Sequence, residues 1–349
     1  MSRRSAIPPS NKKSARCTGN RPRMHHYLPA SFLRRFTNTE GFLHVWDMLD
    51  DRLFKSKPEN AARERDFYTV ATTDSPTDVS TERLIGDIEA KASPVIEGII
   101  RNNQLPEGED WVNLAVFVGL LDQRTPLARK MYDESDKAIQ RMVARQFFGN
   151  REIFEKGLAQ YRKATGDDRV FTYDDAQELL NTEEYLRDAH QNKHISMMLQ
   201  LSMSLAGIIG KMTTHLLISR QVEFITGDCP LPQFNKLRPQ AYAAGWSNPD
   251  VEVGFPISST HCLVFCWDAK PEVIEADETH VANANLQIAQ KSQRYTFAPG
   301  DSFSWMEEDG SVHTDLKQLH ERIGQHKKDF KTVEFFGAMA PMPGQAFEV

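Results

Sequence analysis

Cysteine is scarce in this sequence, and so is any long apolar run. Four cysteines (Cys17, Cys229, Cys262 and Cys266) in 349 residues are too few for a secreted, disulfide-stapled scaffold. Cys262 and Cys266 lie in the apolar run from His261 to Trp267. On a strand they would point to the same side with Val264 between them, which is poor geometry for a bridge. They read as reduced core residues. The longest apolar stretch without charge runs from His194 to Gly210 and contains Ser196, Gln200, Ser202 and Ser204. A membrane span needs about 20 predominantly apolar residues, so this segment is expected to be a buried core helix, with no membrane partner. The opening residues lack the apolar stretch of a signal peptide, and a cytoplasmic location is expected. The sequence also lacks a phosphate-binding P-loop, a dinucleotide glycine fingerprint, a nucleophile elbow, a paired CxxC zinc site and internal repeats. The common nucleotide-dependent and serine-hydrolase classes lose their usual support.

Acid is missing from one place only. Residues 1–23 carry seven positive charges and no carboxylate, while the remainder holds 35 basic against 48 acidic residues. A broad nucleic-acid surface on so acidic a body is not expected, although a local basic groove is compatible with it. The first 23 residues, with Pro8, Pro9 and scattered Ser and Asn, read as a disordered basic arm that could make salt-sensitive phosphate contacts or act simply as a solubilising tail.

The patterning that follows predicts one α+β domain over residues 24–335. Pro29 suits the first turn of a short helix that places Leu33 and Phe36 together. Residues 42–47 and 52–55 flank a turn and predict a hairpin. Residues 59–65 read as a loop or short helix, and 66–70 as a strand. A helical middle layer is expected over residues 80–218. Ile85, Ile88, Ala92, Val95, Ile96 and Ile99 repeat at helical spacing, as do Trp111, Leu114, Val118 and Leu121. Thr125-Pro126 either kinks that second helix or caps a new one. One short helix is expected within 149–181, and the longest from about Glu183 to Ile218. A β-rich, mostly antiparallel region spans 222–299, interrupted by a helix near Glu278 to Lys291. A charged amphipathic helix, 314–330, precedes a frayed tail, 336–349.

Several short blocks occur in a definite order: His26-Tyr27-Leu28-Pro29 with Phe32 to Phe36; Glu64-Arg65-Asp66-Phe67-Tyr68; Gln123-Arg124-Thr125-Pro126; Phe224 to Pro230; Phe255-Pro256-Ile257-Ser258; and Asn285. Taken together they resemble the bacterial family catalogued as domain of unknown function 4238 (DUF4238). The sequence departs from the family's Ser-Asp-Asn-Pro with Gly227-Asp228-Cys229-Pro230. The resemblance implies a fold neighbourhood and no activity.

Candidate chemistry is carried by polar residues in and near these blocks. Asp228 ends an apolar strand, where a carboxylate could ligate a metal or act as a base; the same Gly-Asp-Cys-Pro is also ordinary turn chemistry. His26, Arg34 and Arg35 together could handle a phosphate, the imidazole as acid or base and the guanidinium groups as clamps, or the arginines could pair with surface carboxylates. Asp66 could join Asp228 around a divalent metal, Mg or Mn, with Glu64 nearby or simply solvated. Asp122 continues an apolar stripe and predicts a buried ion pair with Arg124. Glu82 and Glu89 share a helix face. Arg187, His190 and His194 are spaced to share one as well; His190 and His194 have zinc-ligand spacing, and Arg187 with His194 loosely resembles the pair of the metal-independent HEPN ribonucleases. The leading expectation is a metal-dependent hydrolase of a phosphate-bearing substrate, a nuclease foremost, with His26, Arg34, Arg124 and Asp228 catalytic and Asp66 and Asp228 holding the metal. The alternatives are a non-catalytic interaction protein using the basic arm or the C-terminal helix, and a HEPN-like ribonuclease using Arg187 and His194. Nucleic acid is the expected partner in the enzymatic readings.

Overall fold

A computed structural model describes residues 24–65, 67, 80–235, 245–267 and 270–330. The expected basic arm, the frayed tail, Asp66 and most of the 66–70 strand lie outside these residues.

The chain opens with β1 (Met24–His26), the short helix α1 (Ala30–Leu33) and a 3-10 turn, Arg34–Phe36. Phe32, Leu33 and Phe36 all point into the core, as the spacing after Pro29 predicts. The hairpin forms as expected, β2 (Leu43–Asp47) pairing antiparallel with β3 (Arg52–Ser56). Residues 59–65 resolve into a 3-10 turn, Pro58–Asn60, and β4 (Arg63–Arg65), which pairs antiparallel with β1 and sets Glu64 opposite His25.

Five helices make most of the middle layer. They are α2 (Ser80–Asn102), α3 (Gly108–Gln123), α4 (Pro126–Phe148), α5 (Arg151–Thr165) and α6 (Tyr173–Thr182), followed by α7 (Gln191–Ile209). Buried Ile85, Ala92, Val95, Ile96 and Ile99 confirm the apolar stripe of α2. Thr125 caps a new helix rather than a kink: its Oγ1 accepts the Ala128 N–H at 3.1 Å, and Pro126 fills the first turn, where its missing N–H costs nothing. The 149–181 stretch holds two helices, not one. Gly166, at φ +71°, ends α5 in the left-handed conformation that glycine adopts without strain, and a Thr172–Asp175 capping box starts α6. α3 and α7 cross closely at Gly119, where an added Cβ would sit 2.5 Å from the Ser202 carbonyl oxygen.

The long helix expected from Glu183 to Ile218 is shorter at both ends. His190 caps α7 through Nδ1, which accepts the Asn192 N–H, so residues 183–189 lie outside it. After Gly210 the chain turns into β5 (Thr213–Ile218), whose β-branched Thr213, Thr214 and Ile218 suit a strand. The uninterrupted apolar run concealed that boundary, because buried helix and buried strand look alike without periodicity. Among the described residues no helix is long and apolar enough to cross a membrane.

The remaining strands are β6 (Thr226–Gly227), β7 (Gln233–Asn235), β8 (Val251–Pro256), β9 (His261–Cys266), β10 (Val273–Glu275), β11 (Tyr295–Ala298), β12 (Trp305–Met306) and β13 (Val312–His313), with α8 (Glu278–Lys291) before β11 and α9 (Leu316–Phe330) at the end. One sheet runs β10-β5-β9-β8-β7, antiparallel except where β10 joins β5. A second runs β3-β2-β11-β6, so the N-terminal hairpin pairs with a strand from the far end of the domain. The architecture is α+β, with a helical middle and antiparallel C-terminal strands. Cys229, Cys262 and Cys266 are buried free thiols, and burial pushes the Cys262 thiol up to about 12. Leu319 and Ile323 place the apolar side of α9 against the body beside Trp46 and Trp305.

Candidate functional site

The first three motif blocks meet around the α3–α4 turn. Arg124 is the C-cap of α3 and its backbone leaves the helical geometry there, so its side chain turns into the core rather than following the helix wheel. It is almost fully buried. Its Nη1 donates to Glu89 Oε1 at 2.5 Å and its Nη2 to the His26 carbonyl at 2.6 Å. Two turns earlier along α2, Glu82 Oε1 lies 2.6 Å from His25 Nε2. Glu82 and Glu89 therefore share a face as predicted, and both of them hold β1.

Asp122 departs from expectation. Its contact is the Gln123 side-chain amide, at 2.6 Å, while Glu89 is a carboxylate partner of Arg124. Burial raises the Asp122 carboxyl to about 6, opposed in part by nearby Lys291. Gln123 also accepts from the Tyr132 hydroxyl at 2.5 Å, and burial pushes that hydroxyl above its ordinary range. Beside them Gln123, Thr125, Tyr132 and His194 line a cavity of about 20 Å³, the size of one water molecule. His194 Nε2 lies 3.0 Å from Asp133 Oδ1, and its Nδ1 is buried in the cavity wall without a hydrogen-bond partner.

Asp228 ends β6 in a different setting. Its Oδ1 accepts the Gln293 N–H at 2.7 Å, and its Oδ2 accepts those of Arg294 at 2.7 Å and Tyr295 at 2.9 Å. A carboxylate that is buried and ringed by backbone donors is stabilised as an anion where it stands. Those bonds occupy both oxygens, and among the described residues no group of three His, Cys, Asp or Glu is placed to hold a metal ion. Asp66, the expected second metal ligand, lies outside the described residues. Asn285 has a comparable duty: it accepts the Ile225 N–H at 2.9 Å and donates to the Glu223 and Ser304 carbonyls at 3.0 Å each.

His190 and Arg187 fall away from His194. His190 is a cap, and the Arg187 guanidinium bonds to the Glu184 and Leu186 carbonyls in the segment before α7. The three were expected on one helix face; only His194 is helical, because the helix starts later than the apolar pattern suggests. Glu64 is exposed on β4.

His26 and Arg34 do come together, through Glu59. His26 Nε2 lies 3.1 Å from the Glu59 carbonyl, and Arg34 donates to Glu59 Oε1 at 2.7 and 3.2 Å. The imidazole therefore carries its proton on Nε2 and its lone pair on Nδ1. Burial lowers the His26 pKa, with the Glu59 carbonyl working against it and the nearby Arg63 and Arg124 charges adding to it.

Arg34 also lines a groove of about 430 Å³. Ser31, Arg34 and Arg35 form one wall, and Ser93, Glu97 and Arg101 of α2 form the other. Arg35 is fixed in the floor. It donates to the Ser31 carbonyl at 3.3 Å and to Ser93 Oγ at 2.9 Å, with Glu97 3.6 Å away. Its own carbonyl accepts the Ser259 N–H at 3.1 Å, tying the groove to the loop after β8. Burial lowers the Arg35 pKa against the pull of Glu97, yet a guanidinium remains charged at any physiological pH. Ser93, Glu97 and Arg101 recur at a spacing of four along α2, and that stripe was the available sequence signal for the second wall. Its facing wall lies about sixty residues earlier, and no local pattern links the two.

A family model for proteins of unknown function, DUF4238, matches residues 24–301. No curated protein and no solved structure matches the chain.

Proposed function

We propose, for a chain that belongs to the DUF4238 family and so inherits no assigned activity, that it is a hydrolase of a phosphate-bearing substrate, a nucleic acid foremost, seated in the Arg34–Arg35–Arg101 groove. The observation that supports this reading is the groove itself. Ligand sites commonly enclose about 300–1,000 Å³, and this one falls within that range. Three guanidinium groups line it against two carboxylates, Glu97 in the groove and Glu59 paired with Arg34, on a body that is otherwise acidic. Arginine forks match phosphate oxygens in pairs, and Ser31 and Ser93 add hydroxyls on the two walls.

His26 supplies the titratable group. With Nε2–H on the Glu59 carbonyl and its pKa lowered by burial, the ring is neutral near pH 7 and offers Nδ1 as a base. His26 does not itself line the groove; Glu59 joins it to Arg34, which does, and through that link proton transfer would be coupled to anion binding. Arg124 acts behind them as a positioning residue through the His26 carbonyl.

Labelled single- and double-stranded DNA and RNA, incubated with the full chain in magnesium, manganese or EDTA, test the proposal. Cleavage should be lost in His26→Ala and fall roughly tenfold or more in Arg101→Gln. Absence of cleavage in every condition, or cleavage indifferent to both variants, contradicts it.

A further inference from the structure

Helix α4 is built inside out. Its inner face is polar and tied to the segment before α7 and to the start of that helix. Asp133 accepts the Ala189 N–H at 3.0 Å, Asp136 pairs with Lys193, and Lys137 pairs with Asp188 at 2.8 Å. Gln140 exchanges two hydrogen bonds with the Arg187 backbone, and Arg141 holds Glu183 through two bonds of 2.8 and 2.9 Å. Several apolar residues of the helix are exposed instead. Met131, Ile139, Met142, Val143 and Phe147 are between 42% and 63% exposed. At 100° per residue, Met131, Ser135, Ala138, Ile139, Met142 and Gln146 fall in one uncharged sector opposite the ion pairs. Single exposed apolar residues are ordinary, but a continuous stripe of this kind marks a contact surface.

We infer that this stripe packs against the same stripe of a second copy, with the two α4 helices antiparallel about a two-fold axis near Ile139. Charge placement selects both partner and direction. Glu134, which lies 3.5 Å from Lys137 of its own helix, and Arg145 sit on one flank of the stripe, near its opposite ends. Antiparallel helices bring like flanks together, so Glu134 of each copy meets Arg145 of the other, twice by symmetry. The same register sets Met131 near Gln146 and Ser135 near Met142. A parallel arrangement about the same stripe would set that flank of one copy against the opposite flank of the other, and Glu134 would not meet Arg145. The stripe is about 24 Å long at 1.5 Å per residue, which supplies only part of the roughly 800 Å² per partner typical of stable complexes. The contact is therefore a small one, and the pairing is expected to be reversible with concentration. It stands independently of the arginine groove.

Sedimentation velocity on the full chain over about a hundredfold range of concentration reads this directly. A monomer–dimer equilibrium is expected. Met142→Glu and Ile139→Glu, both at exposed positions, should weaken it roughly tenfold or more with unchanged circular dichroism and melting. Glu134→Arg and Arg145→Glu should each weaken it, and the double exchange should restore it. A monomer at every concentration overturns the proposal, as does a dimer that ignores the α4 variants or a double exchange that fails to restore pairing.

Discussion

The β-rich third and the helical middle use the same residue types in opposite ways. In the β-rich third, buried polar side chains bind backbone from distant parts of the chain: Asp228 takes the amides of residues 293–295, and Asn285 joins residues 223, 225 and 304. Along α4 in the helical middle, charged side chains bind other side chains near the surface, as in Lys137–Asp188 and Arg141–Glu183. The first kind leaves donors orphaned when broken; the second is exchanged readily for water and salt. An aspartate in a short motif can thus be a staple rather than a reactive group, and Asp228 makes that case.

Removing the staple should have the largest effect. Asp228→Ala strands three backbone N–H groups and should cost about 3 kcal/mol or more, read by chemical denaturation; a loss below about 1 kcal/mol would dissolve the contrast drawn here. Next comes the helical crossing. Gly119→Ala pushes a methyl into the Ser202 carbonyl and should cost about 1–3 kcal/mol, with the α3–α7 spacing the quantity that yields. Asp122 sharpens the comparison through pH. Its folded pKa is raised from 3.8 to about 6, so it opposes folding once ionised. Its stabilising share is whole below its ordinary pKa and is lost as pH rises through about 6. Asp122→Asn should then exceed the parent in stability by roughly 1–3 kcal/mol at pH 8, and the gap should close near pH 4 in paired melts. The smallest effect belongs to the surface pairs: Arg141→Ala should cost about 0.5 kcal/mol, shrinking in salt.

Much of the fold was legible because local chemistry agrees with tertiary packing. The β2–β3 hairpin, the buried stripe of α2, the Thr125-Pro126 helix start and the span of α8 all follow from periodicity and capping. The α7–β5 boundary did not, since an apolar run has no period to read. The site was legible in halves. His26 and Arg34 stood out, but the wall bearing Ser93, Glu97 and Arg101 meets them only through the tertiary fold. Arg124 misled because wheel arithmetic stops at a cap: one residue beyond α3, its side chain reaches Glu89 instead of Asp122. The inverted α4 was also written in the sequence, as a helix whose uncharged sector and ion-pairing sector are both wide. Which sector faces the body depends on partners at 183–194, far beyond the helix itself.

The most direct test of the arginine groove is equilibrium binding of a fluorescent single-stranded oligonucleotide, with inorganic phosphate as competitor, to the parent chain and to Arg34→Gln/Arg101→Gln. Both positions lie at the groove's exposed rim, so the variant should keep its fold by circular dichroism. The account predicts salt-sensitive binding that phosphate displaces and that weakens roughly tenfold or more in the double variant. Equal binding by the two folded proteins, or none by the parent, would contradict it.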